Sequence, residues 1–223
     1  MITINSLIKE YNSRNKSVLA LDNVSINIPS GSIFGIIGKS GSGKSTLLQI
    51  VGAMEKPTSG SIVVDGFSIE KMNKTNLSKF RREKIGFVFQ SFYLQNYLNV
   101  YENVELPMIG KNIKSFEKKD RVHKVLELVG LKDKIYSKVS ELSGGQLQRV
   151  AIARGLINNA KILLMDEPTG NLDSATRDSI LKLIQNINRN FGATIVVVTH
   201  DKEVSKICNE TIELENGRVV KRT

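Results

Sequence analysis

At 223 residues, with 40% hydrophobic and 24% charged residues, the chain has the size and composition of one α/β folding unit with a buried core. Its 32 Lys and Arg against 22 Asp and Glu give a formal net charge of +10, which suits a nucleic-acid, anionic-lipid or polyphosphate partner, and equally a solvated basic surface. The cations are scattered, with local clusters at Lys114 to Lys124 and at Lys221-Arg222, so charge alone selects no partner. One cysteine, Cys208, excludes an internal disulfide and a cysteine-based metal cluster. The opening Met1 to Ser6 lacks the basic-then-apolar pattern of a secretory signal. No apolar run approaches the ~20 residues that span a bilayer, so a role at a membrane would require another polypeptide to cross it.

In chain order, Ile2-Thr3-Ile4 and Val24 to Ile28 alternate with period two and predict strands, with a turn at Pro29-Ser30-Gly31. Ile33 to Ile37 is a nearly continuous apolar run, the pattern of a strand buried on both faces. A glycine-rich loop follows, and Ser45 to Gly52 predicts a helix. Gly60 to Val64 and Ile85 to Phe89 predict further strands. From about Ser91 to Ala160 the texture turns richer in Asn, Lys and Glu. Val122, Val125, Leu126 and Val129 recur there at helical spacing, and Arg149 to Ile157 predicts a second helix, so this stretch is expected to be a helical insertion between strands. Ile162 to Met165 and Thr194 to Val198 restore the buried-strand pattern around a helix at Ser174 to Asn188. Thr211 to Leu214 and Arg218 to Val220 predict a hairpin about Glu215-Asn216-Gly217. There is no internal repeat and no low-complexity linker.

Gly38-Lys39-Ser40-Gly41-Ser42-Gly43-Lys44-Ser45 fits the G-x-x-x-x-G-K-[ST] pattern between an apolar strand and a helix. Glycines at Gly38, Gly41 and Gly43 let the backbone, Ser40 included, wrap phosphates with its N–H groups inward, and the helix N-terminus adds partial positive charge. Lys44 is placed to reach the β- and γ-phosphates of a nucleotide, the Ser45 hydroxyl to ligate Mg²⁺, and Thr46 to touch the α-phosphate. Farther along, Asp166-Glu167 closes the apolar run Ile162 to Met165. In doubly wound sheets ligands bind at the carboxyl ends of strands. Asp166 is therefore the candidate Mg²⁺ ligand, and Glu167, next along, the candidate base for water attacking the γ-phosphate.

Glu141-Leu142-Ser143-Gly144-Gly145-Gln146 lies between these two motifs and resembles the LSGGQ signature of ABC ATPases. The resemblance runs over essentially the whole chain. Gln90 matches the Q-loop glutamine, which it implies senses Mg²⁺ and the water and links to a membrane partner. Asn171-Leu172-Asp173 matches the D-loop, His200 the switch histidine that contacts the γ-phosphate, and Tyr11 the aromatic that stacks on adenine. It implies the ABC ATPase fold over 1–223: an α/β P-loop NTPase core with a mostly parallel sheet, an N-terminal antiparallel β subdomain and a helical subdomain at about 91–160. It further implies ATP and Mg²⁺ as ligands, a second copy whose Ser143, Gly144, Gly145 and Gln146 complete the ATP site, and a separate transmembrane permease at the cytoplasmic face of the membrane. The segment Ser91 to Pro107 is expected to form much of the permease groove.

Pro168 to Asp173, with Tyr101 to Pro107, looks like the branch of macrolide exporters, lipoprotein-releasing ATPases and antimicrobial-peptide-resistance ATPases. Within it, the Asn-, Lys- and Ile-rich composition leans toward peptide resistance. Leu147 stands where a polar residue is usual and Ser32 where Glu is common; neither position carries a catalytic role. The alternative is a soluble ABC ATPase acting on nucleic acid or the ribosome. Such proteins resemble two joined domains or carry coiled-coil insertions, features this chain lacks, so no nucleic-acid partner is expected.

Overall fold

The computed structural model describes residues 1–13 and 16–223, with backbone alone at Ser13, Lys16 and Lys202. In chain order the principal elements are β1 (Ile2–Ser13), β2 (Lys16–Ile28), β3 (Ile33–Ile37), α1 (Lys44–Val51), β4 (Ser59–Val64), β5 (Phe67–Ser68), α2 (Lys74–Lys84) and β6 (Ile85–Val88). Then come α3 (Val100–Glu105), α4 (Ser115–Leu128), α5 (Gly144–Leu156), β7 (Ile162–Asp166), α6 (Ser174–Phe191), β8 (Thr194–Thr199), α7 (Lys202–Ser205), β9 (Glu210–Glu215) and β10 (Arg218–Arg222). They form an antiparallel four-stranded sheet in the order β2-β1-β4-β5 and a six-stranded sheet in the order β10-β9-β3-β8-β7-β6. In the second sheet only β10 runs antiparallel to its neighbour.

The continuous apolar runs of β3, β7 and β8 follow from burial on both faces, because successive strand residues point to opposite sides. Leu163, Met165, Ile195 and Val197 pack into one hydrophobic cluster with residues of α3, α4, α5 and α6. Ile162, Leu164, Val196 and Val198 pack into another with α1, α2 and the antiparallel sheet. Each such fully buried aliphatic side chain contributes about 1.5–3 kcal/mol relative to leaving it in water. The parallel sheet is thus the wall between two cores.

Several elements differ from the sequence expectation. β1 and β2 are far longer than Ile2 to Ile4 and Val24 to Ile28; register shifts and positive φ at Ser6 and Asn23 break their alternation. α2 buries just Leu77 and Phe80, so its period is too sparse to show in the sequence. α5 starts at Gly144 rather than near Arg149, because Ser143 and Gln146 form a reciprocal capping box.

β6 meets α5 by backbone contact. A Cβ added at Gly86 would lie 2.2 Å from the Gly155 carbonyl oxygen and 2.8 Å from Leu163 Cδ1. Gly86→Ala is therefore expected to lower the unfolding free energy by about 1–3 kcal/mol in urea titration; an unchanged midpoint would show that α5 retreats from β6 at no cost.

Candidate functional site

Register alone gathers the site. Ile37 of β3 pairs with Thr199 of β8, and Asp166 of β7 pairs with Val198. Gly38, His200 and Glu167 therefore leave the sheet side by side at its carboxyl edge, where ligands of open α/β sheets bind. Val88, level with Met165, delivers Phe89 and Gln90 to the same edge.

The loop from Gly38 to Gly43 is held open by close backbone packing. A Cβ at Gly38 would lie 2.3 Å from the Leu214 carbonyl oxygen, and one at Gly43 would lie 2.4 Å from that of Ala20. Both residues have positive φ, 152° and 103°, so glycine is required on two counts. The Gly217 amide donates to the Ser42 carbonyl at 3.0 Å, which ties the loop to the β9–β10 turn. Gly43 precedes α1 without a side-chain cap, and the first turn of α1 holds no acid. In α2, α3, α5, α6 and α7 a side chain caps the N-terminus. The start of α1 thus keeps free N–H groups and an uncompensated dipole, both suited to an anion.

The side chains fit a metal-bound polyphosphate. Lys44, 8% exposed, folds its ammonium back onto the Lys39 carbonyl at 2.8 Å, a contact that a phosphate oxygen can replace. Ser42 Oγ is buried with no hydrogen-bond partner. Ser45 Oγ donates to Asp166 Oδ1 at 3.3 Å across the edge. Ser45 and Asp166 bring together two oxygen donors of the kind Mg²⁺ prefers. Among the described residues no group of three or more His, Cys, Asp or Glu could hold a metal, so an ion here would complete its shell with phosphate oxygens and water. A pocket of about 160 Å³ lies against the loop, between Lys39 to Ser42 and the end of β9 with its turn, Glu213 to Asn216. A cavity of about 340 Å³ lies elsewhere, between α4, the end of α5 and the end of α6.

Glu167 and His200, given separate tasks by the sequence, are partners in the structure. His200 Nδ1 lies 2.8 Å from Glu167 Oε1, and Thr199 Oγ1 donates to Glu167 Oε2 at 3.2 Å. With Glu167 ionised, Nδ1 carries the donated proton, and Nε2 is the outer ring nitrogen. The Glu167 side chain is 13% exposed and that of His200 69%. Glu167 also holds left-handed backbone, φ 46°, the kind of local strain found where a side chain must be aimed. Thr199 was not among the candidates; a threonine ending an apolar strand gives no signal in sequence.

The other candidates divide. Gln90 is exposed and its amide is beside the acids: a Cβ at Gly170 would lie 3.6 Å both from Gln90 Nε2 and from Glu167 Cβ. Ser143 and Gln146 cap α5 between themselves, and Gly144 and Gly145 approach the D-loop side of their own chain. A Cβ at Gly144 would lie 3.5 Å from Leu172, and one at Gly145 2.3 Å from Thr176 Cγ2. Asp173 caps α6, accepting from the Thr176 amide at 3.0 Å and the Thr176 hydroxyl at 2.7 Å, which holds its carboxyl below the usual range. Tyr11 is 39% exposed on β1, with the Lys9 ammonium 4.8 Å from its ring centroid. Its strand partner Val18 precedes by two residues the Ala20 that abuts Gly43.

A glycine loop opening a helix, next to an acid-closed parallel strand, defines a P-loop nucleotide fold. The match is more particular than that: the family model described as "ABC transporter" covers residues 21–170. The chain is 45% identical over 223 residues to the methionine import ATP-binding protein MetN of Escherichia coli K12, covering all of this chain but 65% of that relative's length. It is 43% identical over 220 residues to YvrO of Bacillus subtilis, an uncharacterized ABC transporter ATP-binding protein, covering 99% of this chain and 96% of YvrO. Among solved structures, the dimeric post-hydrolysis ATP-binding cassette MJ0796 bound to ADP and Pi superposes with TM-score 0.92 at 41% identity, covering 100% of this chain and 98% of that one. The chain belongs to the ABC transporter family and has the ABC ATPase fold.

Burial raises the Asp166 carboxyl above its ordinary 3.8, and the Ser45 hydrogen bond opposes this in part. The folded metal-free chain then binds this proton more tightly than the unfolded chain. The stabilisation is complete below pH ~4 and is lost as pH rises through the raised pKa. Asp166→Asn is expected to be more stable than the parent near neutral pH in metal-free denaturant titrations, with the gain vanishing toward pH ~4. A gain that persists in acid would contradict burial as the cause.

Proposed function

We propose that this chain is the ATP-binding and ATP-hydrolysing subunit of an ABC transporter, driving a separate membrane permease through ATP-dependent closure of two copies. The observation that carries this reading is the convergence, at one sheet edge, of the uncapped start of α1, the Ser45–Asp166 contact and the Glu167–His200 pair. Loop N–H groups and Lys44 bind the β- and γ-phosphates, Thr46 touches the α-phosphate, and Tyr11 stacks on the base. Ser45, Asp166 and Gln90 hold Mg²⁺, which neutralises charge on the phosphates when bound. Glu167 accepts the proton of the attacking water, and His200 orients Glu167 while its outer ring nitrogen faces the γ-phosphate. Asp173, beside the signature turn, lies at the closing face. Ser143, Gly144, Gly145 and Gln146 of the second copy supply a further anion cradle at the start of α5.

Support for a permease partner comes from the family and from the fact that, among the described residues, no helix is long and apolar enough to cross a membrane. The permease would hold the chain at the cytoplasmic face, with Ser91 to Pro107 as its main docking segment and 91–160 as the subdomain that carries it.

For the cargo, the named relatives redirect the expectation of antimicrobial-peptide resistance. MetN is a methionine import protein, and methionine-type import becomes the reading to test, although this chain spans 65% of MetN. With its permease reconstituted in vesicles, ATP hydrolysis stimulated by methionine or its binding protein supports that cargo; indifference to both removes it.

Glu167→Gln is expected to bind ATP as the parent does while turning over about 10²–10⁴-fold more slowly, and to double in mass by light scattering when ATP is added. Normal turnover would remove Glu167 as the base, and an unchanged mass would count against closure of two copies.

A further inference from the structure

Between β6 and α3 the chain has no regular structure, and two successive residues just after Gln90 hold left-handed backbone: Phe92 at φ 59° and Tyr93 at φ 48°. Bulky side chains rarely adopt this region, and a pair of them persists only when the surroundings enforce it. Two neighbours of one helical hand also turn their carbonyls the same way. Arg154, in the last turn of α5, meets both: its Nη2 donates to the Phe92 oxygen at 2.5 Å and its Nη1 to the Tyr93 oxygen at 2.6 Å.

This guanidinium is in an unusual position for a cation. Burial draws its pKa below the usual arginine value. Among the described residues no ion pair joins it to a carboxylate. Its compensation is the pair of carbonyls, whose spacing suits a planar two-pronged donor and not the point charge of lysine. The far end of the same segment is fixed from α3, where buried Asn103 accepts from the Gln95 amide at 2.8 Å and donates to the Gln95 and Leu98 oxygens at 3.1 and 3.2 Å. The segment following Gln90 is therefore tied to the helices at both ends, although it issues from the sheet.

We infer that Arg154 is a positioning residue: its fork holds the Phe92-Tyr93 turn against the end of α5 and so fixes where Gln90, two residues before that turn, presents its amide. Gln90 is thereby held beside Asp166 and Glu167, where the proposed function gives it a share of Mg²⁺. The inference rests on the ATPase reading for its consequence, but the clamp itself is a statement about this chain alone.

Hydrogen exchange on residues 89–98, together with ATP hydrolysis titrated with Mg²⁺, tests it in the parent, Arg154→Met and Arg154→Lys. Arg154→Lys keeps the charge and the methylene stem, so it serves if Arg154→Met fails to fold. Expected are exchange faster by about tenfold or more in 89–98 with α1 unchanged, and a half-saturating Mg²⁺ concentration raised several-fold at unaltered KM for ATP, with Lys milder than Met. Unchanged exchange in 89–98 overturns the clamp, and a loosened segment with parental Mg²⁺ dependence overturns its link to Gln90. If the parent itself does not hydrolyse ATP, the proposed function fails, and the exchange experiment still decides the clamp.

Discussion

The in-register parallel pairing of β3, β8 and β7 is the constraint on which the rest of the molecule depends. It sets Ile37, Thr199 and Asp166 at one edge, and every chemically loaded segment begins there. Such a sheet is stable only when both its faces are covered, which demands two cores from a chain of 223 residues. The antiparallel sheet with α1 and α2 covers one face, and the helices between β6 and β7 with α6 cover the other. The helical segment and the antiparallel sheet are thus requirements of the nucleotide edge before they are anything else.

Against that background the polar groups follow an economy of caps. At three helix N-termini outside the site a side chain caps the start, Asn73 for α2, Asn99 for α3 and Asp201 for α7, while α4, uncapped, carries Glu117 in its first turn. Where α1 begins, glycine stands instead and the N–H groups are left for a ligand. The cost of open donors is offset by rigid packing around them, through contacts of Gly38 and Gly43 that admit no side chain. Strain gathers in the same neighbourhood, at Glu167, Phe92 and Tyr93, and each site has an anchor: the Val198 carbonyl accepting from the Glu167 amide at 2.9 Å, and Arg154 for the aromatic pair.

How much of this was legible in sequence depended on whether one stretch of chain carried its own signal. Gly38 to Ser45 and Asp166-Glu167 announce themselves because residue type and local context coincide. The buried strands β3, β7 and β8 are equally plain, since cover on two faces leaves no room for polar residues. The length of β1 and β2 was hidden by bulges that interrupt alternation, and α2 by a surface so polar that two buried residues do not make a period. Relations between distant residues were not legible at all. Neither the Thr199–Glu167–His200 contacts nor the fork of Arg154 leaves a trace in spacing, because each joins segments tens of residues apart in the chain.

The signature turn is built as an anion site that its own chain does not fill. Ser143 Oγ accepts from the Gln146 amide at 3.4 Å and Gln146 Oε1 accepts from the Ser143 amide at 2.9 Å, so α5 is capped within its own chain. An acceptor hydroxyl still has a proton to donate, and the amides of Gly144 and Gly145 lie in the first turn, where no intrahelical partner exists. Gly145 has its Cβ space filled by Thr176, and Gly144 approaches Leu172, so this turn is braced by the D-loop side of the same chain. Ser143 and Gly144 remain exposed. A braced helix start with donors facing outward has the same logic as the uncapped start of α1, with one difference: its own chain brings no phosphate to it. Under the proposed function the missing anion arrives with the second copy, and the brace at Thr176 would make the D-loop register its arrival.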